Sequence, residues 1–157
     1  MKVAIGSDKS GFHAKEAVKA YLQAAGVDFE DLGTIQEDQP MPYYAVASKI
    51  APEIQAGTYD RAILICGTGA GMSVVANKYK NVYAVACEGV YSARMARAIN
   101  GANVLCMGGW IVGPEMAVEM AKVFLATEWL EGLEDWRQEN LKKFNAQVHA
   151  IEGEIYG

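Results

Sequence analysis

Cys66 ends a buried-looking apolar run, Ala62-Ile63-Leu64-Ile65, and is followed by Gly67-Thr68-Gly69-Ala70-Gly71. Three glycines at alternate positions leave the backbone amides free of side-chain cover. A tight turn into a helix points such amides at one spot, and that spot favours negative charge. A nearby helix start also favours the thiolate form of a cysteine. Thr68 adds a hydroxyl donor beside the thiol. A thiolate base next to free amides suits proton abstraction from a carbon alpha to a carbonyl, with the amides holding the developing enediolate oxygen. The competing reading is a core cysteine at a strand end, with the glycines merely closing a turn; the pattern alone does not separate the two. The loop is not the phosphate loop of nucleotide hydrolases, because no Gly-Lys-Ser/Thr follows, and it misses the dinucleotide fingerprint spacing.

Other residues could serve the same spot. Asp8 could orient a sugar hydroxyl and Lys9 could pair with an anion, although each is equally a solvated loop charge. Tyr43 and Tyr44 follow a proline pair; one hydroxyl could cap a pocket while the other ring packs. Arg94 and Arg97, three apart, are ordinary surface arginines or anion ligands, and Lys78 and Asn100 have the same ambiguity with helix-end roles. Cys87 and Cys106 lack an amide nest after them and read as core or pocket-wall thiols. Gly108-Gly109-Trp110 either walls a cleft or turns the chain.

The elements that position these residues alternate. Apolar runs at residues 2–7, 27–32, 60–66, 82–86 and 103–107 read as strands. Helical periodicity marks 15–25, 43–56 (kinked or restarted near Pro52), the segment from the glycine turn to 76, then 88–99, 114–126 and 136–151. Strand and helix in alternation, with non-alternating apolar strands, predict a parallel sheet covered on both faces. Right-handed crossovers place the strand ends on one edge, where ligands bind. The 157 residues suit one domain. The tail, 129–157, has Trp136, Leu141, Phe144, Val148 and Ile151 with no evident sheet to cover, so packing against a second subunit is expected.

A 52% apolar content makes a disordered chain a poor fit. The net charge of −5 disfavours nucleic acid and anionic membrane surfaces as partners. No apolar stretch is long enough for a transmembrane helix, the start lacks a signal-peptide pattern, and three unpaired-looking cysteines suit a reducing, cytoplasmic setting. His13 and His149 have no metal-ligand spacing.

Together, Gly6-Ser7-Asp8 with Gly11, the Tyr43-Tyr44 region, residues 65–71 through Ala76-Asn77-Lys78, the segment 91–97, Asn100, Asn103-Val104-Leu105 and Gly113 resemble the type B ribose-5-phosphate isomerases and related galactose-6-phosphate isomerase subunits. The resemblance implies a Rossmann-like three-layer α/β sandwich whose five-stranded parallel sheet has the order 2-1-3-4-5. It implies no cofactor or metal, and a homodimer or tetramer in which each site is completed by the neighbour. Cys66 would move the proton. Thr68 and the amides around Gly67, Gly69, Gly71 and Met72 would steady the enediolate. Asp8 and Tyr43 would contact substrate hydroxyls, Asn100 would lie near the carbonyl end, and Arg137 would be the surviving phosphate ligand.

Departures from the family pattern shape the expected substrate. Ribose-specific members carry a histidine after the first aspartate, where this chain has Lys9, and a ring-opening histidine before the asparagine, where it has Ile99. The usual Gly-Gly-Arg-His tail is replaced by Gly132-Leu133-Glu134-Asp135-Trp136-Arg137. Isoleucine transfers no proton, so a sugar that needs no ring opening is expected, such as a tetrose or tetrulose 4-phosphate. Ordinary ribose-5-phosphate isomerisation and a non-catalytic sugar-phosphate binding or partner subunit are the alternatives. The substrate could also lack a phosphate.

Overall fold

The computed structural model describes all residues, 1–157. Five strands are present: β1 (Lys2–Ser7), β2 (Asp28–Asp31), β3 (Arg61–Cys66), β4 (Ala84–Ala86) and β5 (Val104–Gly108). Six helices join and follow them: α1 (Phe12–Ala24), α2 (Tyr43–Gln55), α3 (Ala70–Ala76), α4 (Val90–Asn100), α5 (Pro114–Ala126) and α6 (Asp135–Tyr156). All strand pairs are parallel. The architecture is the expected three-layer α/β sandwich.

The strand order is a correction. It is β2-β1-β3-β5-β4, not 2-1-3-4-5. Burial explains the exchange of the last two strands. β5 is buried along its whole length, whereas β4 has three residues and turns outward at Ala86. A short, half-exposed strand belongs at the edge, and a fully apolar one belongs inside. β2, with sequence Asp-Phe-Glu-Asp, takes the other edge.

Successive strand residues point to opposite faces, so each strand feeds two cores. Val3, Ile5, Ile63, Ile65, Leu105 and Met107 pack with α1, α4 and α5, through residues such as Val18, Leu22, Met120 and Phe124. Ala4, Ala62, Leu64, Cys66, Val104 and Cys106 pack with α2 and α3, through Val46, Ile50, Met72 and Ala76. Cys66 therefore faces the α2–α3 layer. Pro52 does not interrupt α2. It lies in the last turn, where its missing N–H removes one helical bond and the chain is about to leave the helix.

α1 carries a fully buried lysine. Lys15 Nζ sits 2.6 Å from Asp31 Oδ2 at the end of β2 and also donates to the Thr34 carbonyl. Asp31 in turn accepts from the Gly33 amide at 3.1 Å, and Lys19 reaches it at 2.9 Å. Thr34 Oγ1 then accepts from the Met41 amide at 3.0 Å, two residues before α2 begins. The loop from β2 to Tyr43 is thereby tied to the sheet edge.

α6 is longer than the sequence periodicity indicates and buries none of its residues in this chain. Trp136, Phe144, Val148, Ile151 and Ile155 are exposed. Polar contacts tether its far half. Tyr83 Oη donates to Glu152 Oε2 at 2.7 Å and lies 3.0 Å from His149 Nδ1, and the Asn81 amide donates to Glu152 Oε1 at 2.5 Å. No helix is long and apolar enough to cross a membrane.

Candidate active site

The carboxyl ends of β1, β3 and β5 meet the start of α2 around one cavity of about 260 Å³. Asp8, Ser10, Tyr43, Cys66, Gly67, Thr68, Gly71 and Trp110 line it. Residues far apart in sequence converge because parallel strands end on one edge. Asp8 and Ser10 follow β1, Cys66 ends β3, and Trp110 follows β5.

Cys66 is 4% exposed, and what it exposes faces this cavity. The Gly69 amide donates to Cys66 Sγ at 3.2 Å. Gly69, the residue before α3, has φ of +80°, a left-handed conformation that glycine adopts without a side-chain penalty. The Ala70 amide is taken by Thr68 Oγ1 at 3.3 Å. The amides of Gly71 and Met72, in the first turn of α3, find no backbone or side-chain acceptor within the chain. Thr68 itself is exposed at the cavity.

Asp8 Oδ1 accepts from the Gly11 amide at 3.1 Å, and the Asp8 amide donates to the Ile65 carbonyl at 3.3 Å. Burial pushes the Asp8 carboxyl above its ordinary value, against the lowering effect of the amides of Gly11, Ser10 and Asp8 itself. Tyr43 lies over the start of α3. A Cβ added to Gly71 would stand 2.7 Å from Tyr43 Cε2, so the phenol can occupy this place only because residue 71 has no side chain. Tyr44 meets Tyr43 edge to face at 5.6 Å and does not line the cavity.

Not every expected residue gathers here. Lys9 lies beside the cavity, lining neighbouring depressions with Glu37 and Asp38 and with Pro40 and Met41. Asn100 lines a separate groove between α4 and α6, with Tyr83, Ile99, Phe144 and Asn145. Arg137, on α6, sits 3.8 Å from Glu134. Arg97 is committed to structure: its guanidinium caps carbonyls of Thr127 and Ala102, and burial with the neighbouring Arg61 lowers its pKa. Cys106 is fully buried, and its thiol is raised well above the usual value by that burial; Cys87 is raised for the same reason, and neither lines the cavity.

Two lining residues, Ser10 and Trp110, have no distinctive sequence signal as site residues. Ser10 carries no signal beyond its place two residues after Asp8. The sequence Gly108-Gly109-Trp110 is compatible with either a wall or a turn, and the indole is a wall of the cavity. Asp8 is the one charged side chain among the lining residues.

A parallel sheet with a thiol, hydroxyls and unpaired amides at its strand ends defines a Rossmann-like α/β protein with a small-molecule cavity. The model of the Ribose/Galactose Isomerase family matches residues 3–143, and the chain belongs to that family. It is 54% identical over 156 residues to the 4-deoxy-4-sulfo-D-erythrose isomerase of Clostridium sp. (strain MSTE9), an alignment covering 99% of this chain and 98% of that protein. It is 40% identical to the D-erythrulose-4-phosphate isomerase 2 of Mycolicibacterium smegmatis, over 82% of this chain and 86% of that protein. The solved ribose-5-phosphate isomerase B of Clostridium thermocellum superposes with a TM-score of 0.88 at 32% identity, over 99% of each chain. The chain is thus an enzyme of the sugar-phosphate isomerase type.

Proposed function

We propose that this enzyme interconverts the aldose and ketose forms of an open-chain four-carbon sugar with an anionic group on C4, using Cys66 as the base. The observation that carries the reading is the single cavity joining Cys66 to Asp8, Tyr43, Thr68 and the unpaired amides of the following turn. The thiolate takes the proton from the carbon alpha to the carbonyl. Negative charge moves to the carbonyl oxygen, which the amides near Gly71 and Met72 receive. A hydroxyl proton transfers between the two oxygens, and the Cys66 thiol returns its proton to the neighbouring carbon. Electrons balance within the sugar, so the scheme calls for no redox partner. Asp8 accepts from a sugar hydroxyl and Tyr43 covers it.

Chain length follows from Ile99. A tetrose substituted at C4 has no terminal hydroxyl with which to close a five-membered ring, so it needs no ring-opening acid. Two relatives named for four-carbon substrates support this. The lining offers no cation of its own, and a buried charge without a partner is costly. A sulfonate carries one negative charge and a phosphate ester nearly two. The favoured substrate is therefore 4-deoxy-4-sulfo-erythrose and its ketose, with the 4-phosphate second. Lys9 lines a neighbouring depression that shares Asp8 with the cavity, and in this reading it meets the anion. Asn100 and Arg137 belong in this reading to the cavity of a neighbouring copy in a homodimer, which the exposed face of α6 would help to form.

The test is solvent deuterium exchange into both tetroses and into ribose 5-phosphate. Exchange into the four-carbon sugars is expected, and Cys66→Ala should lower it by about 100- to 10,000-fold while calorimetric binding persists. Turnover intact in Cys66→Ala removes the base assignment. Ordinary rates on ribose 5-phosphate with both tetroses untouched remove the substrate assignment.

A further inference from the structure

Trp110 is 75% exposed, yet it is one of the more firmly seated parts of the cavity. Its amide donates to the Gly67 carbonyl at 3.0 Å, and the Gly109 amide donates to the Cys66 carbonyl at 2.7 Å. The turn that carries the indole is thus bonded to the backbone of the thiol residue and its neighbour. The ring lies against residue 67: a Cβ there would stand 2.7 Å from Trp110 Cε3. A Cβ at Gly109 would collide with the Ser10 carbonyl of the first loop, so strand-end loops from β1 and β5 touch backbone to backbone. Tyr43 closes the other end of the same turn, seated on Gly71. The cavity therefore lies between two aromatic walls, each resting on a glycine of the thiol loop. The main-chain bonds of this turn hold the indole beside the thiol, with most of its surface free to meet a ligand in the cavity.

We propose that Trp110 is a specificity-determining residue that limits the length of the sugar, admitting a four-carbon chain with its terminal anion and excluding a five-carbon one. The proposal rests on the isomerase reading above for its substrate class. The indole sets where the distal end of the substrate must stop, while Cys66 and the amides hold the reacting end. It has no part in moving the proton.

The experiment separates this proposal from that reading by measuring binding as well as turnover. Non-reactive acids of four and five carbons, 4-phosphoerythronate and 5-phosphoribonate, are titrated calorimetrically into wild type, Trp110→Ala and Trp110→Phe, with circular dichroism to check the fold. Wild type should prefer the shorter acid. Trp110→Ala should shift the ratio of dissociation constants at least tenfold toward the longer acid. Trp110→Phe, which keeps an aromatic wall, should recover most of the preference. With the corresponding sugars, the shift should fall on KM, with the five-carbon sugar gaining relative to the four-carbon one. An unchanged ratio in Trp110→Ala overturns the proposal, as does an equal loss for both acids, or a Trp110→Phe variant as permissive as the alanine. Should neither sugar be isomerised by wild type, the function above fails, but the binding ratio still decides the role of Trp110.

Discussion

Replacing Lys15 by methionine tests the buried ionic tie behind the site. The substitution keeps the aliphatic stem and removes the ammonium that touches Asp31 at 2.6 Å and the Thr34 carbonyl. Lys15 is 0% exposed at its side chain and Asp31 8%. Breaking a buried pair by deleting one partner costs about 3–5 kcal/mol, because the other charge stays buried. Lys19 remains 2.9 Å from Asp31 and is itself partly exposed, which places the loss near the lower end. The expected destabilisation is therefore about 3 kcal/mol, a large share of the roughly 5–15 kcal/mol that holds a domain folded. In urea titration followed by circular dichroism, with a slope of about 2 kcal/mol/M, the midpoint should fall by about 1.5 M. Lys15→Met combined with Asp31→Leu should regain most of that, since an apolar pair leaves no orphaned charge. A loss under about 1 kcal/mol at unchanged slope, or a double variant no better than the single one, would refute the argument.

Three further outcomes follow from the site and the tail. Gly71→Ala drives a methyl to 2.7 Å from the Tyr43 ring, so Tyr43 must leave its seat; steady-state kinetics should give a raised KM, and an unchanged one would detach Tyr43 from binding. Burial raises the Asp8 carboxyl, so its ionised form, proposed to accept a sugar hydroxyl, is lost as pH falls through that raised value; kcat/KM should decline on this acidic limb, and Asp8→Asn should lack it while being slower throughout. Burial raises the Glu152 carboxyl, but the Asn81 amide, the Tyr83 hydroxyl and His149 outweigh it and hold the group below its usual 4.5. The tether it gives α6 is then fully present above pH 4.5 and lost as pH falls through the lower folded value. Hydrogen exchange near residues 145–156 should speed up there, and Glu152→Gln should remove that transition.

Much of the sheet-edge chemistry was legible because it lies in local sequence. An apolar run ending in cysteine and alternate glycines fixes a strand, a turn and a bare-amide helix start almost independently of the rest. Parallel topology then brings Asp8, Tyr43 and Trp110 to the same edge, and strand-end residues are easy to name. The strand order was not legible, since residues 82–86 and 103–107 look equally apolar; only burial separates β5 from the edge strand β4. Lys15 was also invisible. It occupies a helix face with Val18 and Leu22, and its partner Asp31 lies 16 residues away at the end of a different strand. Asn100 and Arg137 came from resemblance, and in the isolated chain they stand apart from Cys66.

Cys66 and the aromatic wall come from different strands, β3 and β5, and main-chain hydrogen bonds hold the turn that carries the wall to the thiol loop. Backbone bonding is indifferent to which side chain residue 110 carries. Under the roles proposed for Cys66 and Trp110, substrate range can drift by single replacements at that turn while the thiol loop is inherited intact. Such a division of labour makes this scaffold a ready source of isomerases for new sugars.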